Sequence, residues 1–333
     1  MGLLHKSRGI HFNLKDKELT QDLPVQSAPL PDEVFIPLLQ HKGLSSKCLV
    51  KVGDYVHTGD LIGEPDGFVS SAVHASISGE VVSIKKFDFF WGSSMVIQIK
   101  RDTGKNSKIK SNTNLQWKNL SKEQILEKIK LSGIVGLGGA TFPTHAKLST
   151  SNDVDFLILN GAECEPYITC DYKNIEENLS SILDGVSVIK KLLNLKRVVL
   201  GIEDQHQLLI KNIRSILEKK QIEIFELKSE YPQGDEKLLI QTVTQKTVPY
   251  RKLPALAGAL VMNVSTMTAL KEAIIDEIPL IERVVTLSGP AMKEPKNLKV
   301  RIGTPIKNLI DECGGLTKDS NLVVMGGPMM GVE

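Results

Sequence analysis

The chain has 333 residues, with 41 Lys and Arg against 39 Asp and Glu, and this net charge of +2 supplies no basic field for a nucleic-acid backbone. Its 41% hydrophobic, 24% charged and 5% aromatic residues exclude a disordered or fibrous chain. The length asks for two or three domains of ~100–200 residues, and the longest apolar runs, such as Phe156 to Leu159, are strand-sized, far short of the ~20 residues of a membrane helix.

Met1 to Ile10 lacks the apolar stretch of a secretory signal. Cys48, Cys164, Cys170 and Cys313 form neither a disulfide framework nor a C-x-x-C metal motif, which suits a reducing compartment. From Pro31 to Lys100, β-branched residues punctuated by Gly-Asp pairs predict short strands and tight turns in two similar halves, about Val50 to Gly63 and Val73 to Val82. This phrasing resembles the barrel-sandwich hybrid of biotinyl and lipoyl carriers, but the joining segment, Glu64 to Ser71, has no lysine for a swinging cofactor. A structural or docking module is expected instead.

Arg101 to Trp117 is polar and reads as a linker. Ser121 to Gln124 has capping-box form and precedes Ile125, Leu126 and Ile129 at helical spacing, which predicts a helix ending near Gly133. Strands then alternate with helices: Asp155 to Asn160, Arg197 to Glu203, Ile222 to Leu227 and Ala259 to Asn263 as strands, with helices over Ile175 to Leu193, Gln205 to Lys220, Glu236 to Val243 and Thr266 to Ile275. That order implies parallel βαβ units in a doubly wound sheet. After Pro279, strands at Arg283 to Ser288, Leu298 to Ile302 and Leu322 to Met325 around a helix at Pro305 to Cys313 suggest a small α+β domain of β-grasp type.

The stretch from Gly133 to Lys147 carries the clearest chemical signal. Glycines 133, 136, 138 and 139 let backbone amides approach an anion closely, and Lys147 is placed to neutralise it. Pro143 suits the first turn of a following helix whose positive end would face the same anion. An ordinary glycine-rich turn is the plain alternative. A helix precedes the glycines, so the segment is neither the usual dinucleotide fingerprint nor a Walker A loop.

A second cluster, Asn160 to Asp171, follows a predicted parallel strand, where open α/β sheets bind ligands. Asn160 offers donor and acceptor atoms, and Glu163 and Glu165 offer acceptors. Two thiols, Cys164 and Cys170, are too few for a tetrahedral metal site. The turn Tyr231 to Lys237 and Asn263 end the next strands, so three polar clusters converge on one crevice. His145 and His206 read as surface or packing residues.

Gly133 to Lys147 and Asn160 to Tyr172 resemble the flavin-binding segments of the RnfC family, which belongs to the Rnf electron transport complex, and, more distantly, those of the NADH-binding flavoprotein of respiratory complex I. The resemblance runs from about Gly9 to Gly331. It implies a multidomain α/β protein: a barrel-sandwich module (9–105), a linker (106–120), a Rossmann-like domain binding FMN and NADH (121–278) and a soluble-ligand-binding β-grasp (SLBB-like) domain (279–333). Carried over by motif, Gly136, Gly138, Gly139 and Lys147 would hold the FMN phosphate and ribityl region. Asn160 and Glu163 would face the isoalloxazine, Phe142 and Glu165 the nicotinamide nucleotide, and Glu236 and Asn263 would complete the pocket.

The resemblance further implies noncovalent FMN, NAD(H) as substrate, and a place on the cytoplasmic face of the bacterial inner membrane. Its partners there would be the membrane subunits, a ferredoxin-like subunit and ferredoxin, with ion movement coupled by those partners. Two features depart from the pattern: Ala162 replaces an aspartate of the complex I relative, and Asp235 a usually small residue of the Rnf turn. The family's two 4Fe-4S clusters need C-x2-C-x2-C-x3-C-P motifs that these residues do not contain, so the chain reads as a shortened member without metal ligands of its own. The alternatives are a related soluble flavoprotein, such as a cobalamin reductase or the electron-transfer protein of proline reductase, and a non-catalytic scaffold.

Overall fold

The computed structural model describes residues 9–11, 16–89, 92–104, 113–114, 116–149, 154–249, 252, 254–317 and 322–333. Its strands and helices run, in chain order, β1 (Gln26–Ser27), β2 (Glu33–Pro37), β3 (Lys47–Cys48), β4 (Tyr55–Val56), β5 (Leu61–Glu64), β6 (Val73–His74), β7 (Gly79–Phe89), β8 (Gly92–Arg101), α1 (Lys122–Leu131), α2 (Thr144–Ser149), β9 (Phe156–Gly161), α3 (Cys170–Leu192), β10 (Arg197–Glu203), α4 (Gln207–Lys219), β11 (Glu223–Leu227), α5 (Glu236–Thr244), β12 (Ala259–Asn263), α6 (Val264–Ile274), β13 (Glu282–Leu287), β14 (Lys296–Arg301) and α7 (Ile306–Glu312).

The first unit is two facing antiparallel sheets, β2-β8-β7-β4 and β3-β5-β6, around a core that includes Val34, Ile36, Ile62, Ile77 and Ile97. Its Gly-Asp turns are built alike: the carboxylates of Asp54 and Asp60 each accept from the amide three residues back, at Lys51 (2.9 Å) and His57 (2.7 Å). The lysine-less joining turn docks on the next unit. Phe68 O accepts from His145 Nε2 (2.9 Å), and the Lys42 amide donates to Thr141 O (3.1 Å). Gly133, at φ +75°, lies so close to this module that a Cβ there would stand 2.6 Å from Ala72 O. Of the polar stretch 101–117, residues 105–112 and 115 lie outside the described residues.

The central unit is a four-stranded parallel sheet, order β11-β10-β9-β12, with α3, α4 and α6 among the helices that cover it. Its strands are buried apolar runs because both faces are covered. The capping box forms as the sequence predicts: Ser121 Oγ accepts from the Gln124 amide (3.2 Å) and Gln124 Oε1 from the Ser121 amide (2.7 Å). α3 starts five residues before its apolar periodicity begins, and its first amides, at Asp171 and Tyr172, are accepted by the Glu163 carboxylate from outside the helix.

The third unit differs from the sequence reading at both ends. Its sheet, β1-β14-β13, takes a strand from the N-terminal arm, with Gln26 opposite Leu298 and Ser27 opposite Lys299. Of the segment that the sequence groups with the barrel sandwich, Ile10 bridges to Tyr231, Lys17 reaches Glu163 and Gln26–Ser27 pairs with β14, so these described residues contact the other two units. The strand expected over Leu322 to Met325 does not form: Met325 makes one bridge, to Val332, across the turn at Gly326-Gly327. The strand propensity at Val323-Val324 goes unused, and both residues are exposed.

Candidate functional site

In the parallel sheet, the chain goes from β9 towards β10 and β11, then returns to place β12 on the other side of β9. The gap between the carboxyl ends of β9 and β12 is thus the topological switch point, where open α/β sheets bind ligands. Asn160 and Asn263 are paired in register at those two ends.

The glycine loop sits over this point. It closes on itself through the Gly136 amide to Phe142 O (3.0 Å) and the Thr141 amide to Gly136 O (3.2 Å). It is tied down where the Leu137 amide donates to Thr266 Oγ1 (3.0 Å) and Arg283 Nη2 donates to Leu137 O (3.1 Å). Gly138 touches the sheet end: a Cβ there would stand 3.0 Å from Asn263 Cβ and Nδ2. Gly139, at φ +110°, faces open space. Gly138 and Gly139 are both exposed.

Lys147, on the helix that follows this loop, donates to Glu236 Oε1 (2.6 Å) and Val261 O (2.7 Å), linking α2, α5 and β12. The sequence expectation sets the positive end of α2 toward an anion. That helix has six residues, and its Thr144 amide already donates to Ile134 O (3.0 Å). The remaining source of amides is the loop itself.

The loop after β9 is held from several sides. Asn160 Nδ2 donates to Gly234 O and its Oδ1 accepts from the Ala162 amide, both at 3.0 Å, so Asn160 joins this loop to the turn before α5. The Glu163 carboxylate accepts from the amides of Asp171 (2.9 Å) and Tyr172 (3.2 Å) and from the Cys170 thiol (3.2 Å), which makes it the cap of α3. Burial pushes its carboxyl up to about 7, against the opposing pull of the Lys17 ammonium. Asn263 caps α6 by accepting from the Ser265 amide (2.9 Å) and donates to Asp171 Oδ2 (2.6 Å). Burial also raises Asp171, while Ser265 and Asn263 favour its ionised form.

Glu165 Oε2 accepts from the Met329 amide (3.0 Å), whereas its Oε1 is buried with no hydrogen-bond partner. Phe142 is half-buried at the end of the glycine loop. Burial raises the thiols of Cys164 and Cys170, so neither offers a thiolate. His145 and His206 are buried, the first against Phe68 O and the second 3.6 Å from Glu203 Oε2.

Sequence reasoning missed Thr266, Arg283 and the whole N-terminal arm, and it gave Asp171 a place in the second cluster but no role, since these roles depend on contacts across the fold. Lys17, buried, donates to Glu163 O, and Thr20 Oγ1 meets Thr169 Oγ1 at 2.7 Å. Only the polar pattern of residues 16–21 marks the arm at all, and it specifies no partner.

A parallel sheet whose switch-point crevice is roofed by exposed glycine amides and backed by a lysine defines a nucleotide-cofactor-binding protein. Residues 129–272 match the family described as the Nuo51 FMN-binding domain, residues 4–104 the RnfC barrel sandwich hybrid domain and residues 284–333 the SLBB domain. Three curated relatives extend the likeness to nearly the whole chain. The C subunit of the proton-translocating ferredoxin:NAD(+) oxidoreductase complex of Clostridium ljungdahlii is 44% identical over 97% of this chain and 71% of its own length. The C subunit of the Na(+)-translocating ferredoxin:NAD(+) oxidoreductase complex of Acetobacterium woodii is 38% identical over 97% and 74%. That of an ion-translocating oxidoreductase complex of Haemophilus influenzae is 40% identical over 95% of this chain and 39% of its own. The chain belongs to the RnfC family, the C subunits of ion-translocating oxidoreductase complexes.

Proposed function

We propose that this chain is the FMN- and NAD(H)-binding part of an RnfC protein that exchanges electrons between NAD(H) and the iron–sulfur, ferredoxin side of such a complex. Ion translocation belongs to its partner subunits. The observation that carries the reading is the glycine loop, with exposed Gly138 and Gly139, set at the switch point and followed by Lys147, which pairs with Glu236.

The residues present fit an FMN. Loop amides and a lysine suit its phosphate, Gly139 opens on free space, and the orphaned Glu165 Oε1 awaits a donor such as a ribose hydroxyl or carboxamide. When bound, FMN supplies a centre that accepts hydride and releases single electrons. Gly136, Gly138, Gly139 and Lys147 hold its phosphate and ribityl chain. Asn160, Glu236 and Asn263 frame the pocket, while Glu163 acts on the ring side mainly by fixing the start of α3, which it caps. Phe142 and Glu165 receive the nicotinamide nucleotide.

No helix among the described residues is long and apolar enough to cross a membrane. The reading places the chain at the cytoplasmic face of the inner membrane, beside the membrane subunits, a ferredoxin-like subunit and ferredoxin. Among the described residues no group of His, Cys, Asp and Glu suits a metal ion, and in this account the 4Fe-4S clusters are carried elsewhere. Titration with FMN, followed by quenching of flavin fluorescence, tests the reading: saturable binding supports it, and no binding by the folded chain refutes it.

A further inference from the structure

The N-terminal arm delivers one buried cation to the loop after β9. Lys17 donates to Glu163 O, and its ammonium stands 3.9 Å from Glu203 Oε2 at the end of β10. Both side chains are less than one-tenth exposed. They line a cavity with Cys164, Gln205, Glu230 and Tyr231, beside the switch-point crevice. Its neighbours keep it close to that crevice: a Cβ on Gly234 would stand 3.4 Å from Cys164 Sγ, and Gly234 O is the acceptor of Asn160 Nδ2. Glu203 has a second partner in His206 Nε2 at 3.6 Å. Burial pushes the Glu203 carboxyl up, but His206 and Lys17 outweigh it and hold the group below its usual value.

A hydride carries two electrons and one proton, so a ring that accepts it gains one negative charge unless a second proton follows. A fixed buried charge beside the ring favours or opposes that gain according to its sign, with little screening by solvent. Resting on the FMN reading above, we propose that Lys17 and Glu203 form a buried charge pair, supplied in part by the N-terminal arm, that sets the reduction potential of the bound flavin. Lys17 is a positioning and electrostatic residue: it holds the Glu163 carbonyl in place and adds positive charge next to the flavin loop. Glu203 moderates that charge.

The two members of the pair therefore have effects of opposite sign. In the FMN-loaded chain, Lys17→Met weakens binding of reduced FMN relative to oxidised FMN on the order of tenfold and moves the midpoint potential negative. Lys17→Arg restores most of the shift. Glu203→Gln moves the potential positive, and it tests the proposal by itself if Lys17→Met fails to fold. The measurement is a spectroelectrochemical titration of each variant with the two FMN affinities determined alongside. A purely structural role would change both affinities equally and leave the potential where it was. Potentials unchanged in Lys17→Met and Glu203→Gln, or shifted in the same direction, overturn the proposal alone; failure of the wild-type chain to bind FMN overturns this proposal together with the reading it rests on.

Discussion

Thr20 and Thr169 meet hydroxyl to hydroxyl at 2.7 Å, where the N-terminal arm, the start of α3 and the third sheet come together. Asn297 Nδ2 donates to Thr169 Oγ1 (2.9 Å) and Thr20 O (3.2 Å), Asn297 Oδ1 accepts from Thr286 Oγ1 (2.7 Å), and the Thr169 amide donates to the same hydroxyl (3.1 Å). Thr20, Thr169 and Asn297 are completely buried. One and two residues beyond Thr169 lie Cys170 and Asp171, which contact Glu163 and Asn263 at the crevice. The third sheet and the crevice therefore share a rigid joint.

Thr20→Val and Asn297→Ala should each destabilise the chain by roughly 1–3 kcal/mol, because each leaves buried polar partners unsatisfied. The double variant should lose less than the sum, since both changes dismantle one network. Urea unfolding of the four proteins measures this; additive losses would show that the two residues act separately.

Lys147→Ala should separate binding from folding. Its ion pair with Glu236 has side chains 28% and 36% exposed, so the pair itself contributes about 0–1 kcal/mol to stability. Loss of a charge-assisted contact to a phosphate should still weaken FMN on the order of tenfold or more. Unchanged FMN affinity would remove Lys147 from the binding set.

Gly138 and Gly139 should fail for different reasons. Alanine at 138 puts a methyl against the Asn263 side chain, whereas alanine at 139 meets nothing and is opposed only by its φ of +110°. The Gly139→Ala backbone penalty is roughly 1–3 kcal/mol. Gly138→Ala should disturb the cap of α6 as well as FMN binding, and amide exchange at Ser265 reads that directly.

Glu163 gives a pH signature. Its carboxyl is raised from 4.5 to about 7 in the folded chain, so between those values the native state binds more protons than the unfolded one. This group therefore lowers stability as pH rises through that window, and its destabilising effect is complete above about 7. Glu163→Gln should flatten the fall in melting temperature across the window relative to wild type. Parallel curves would show that Glu163 does not titrate there.

Much of the site was legible because its signals are local. The glycine loop, the polar clusters at strand ends and the capping box at Ser121 all lie within short stretches, and β–α alternation fixed the parallel sheet. The arm was not legible: its partners are 149 and 277 residues away, at Thr169 and Asn297, and no periodicity links them. Glu163 pointed to the crevice by sequence, but its carboxylate is spent on amides eight and nine residues later, a capping distance that no short-range pattern reveals. At Leu322 to Met325 strand propensity does not decide the outcome: among the described residues Met325 makes a single bridge, to Val332.

The most direct test is an anaerobic titration of the FMN-loaded chain with NADH, followed by the visible flavin absorbance. The account predicts bleaching that is complete at one NADH per bound FMN and is greatly weakened in Glu165→Ala. A bound flavin that dithionite bleaches but NADH does not would contradict it.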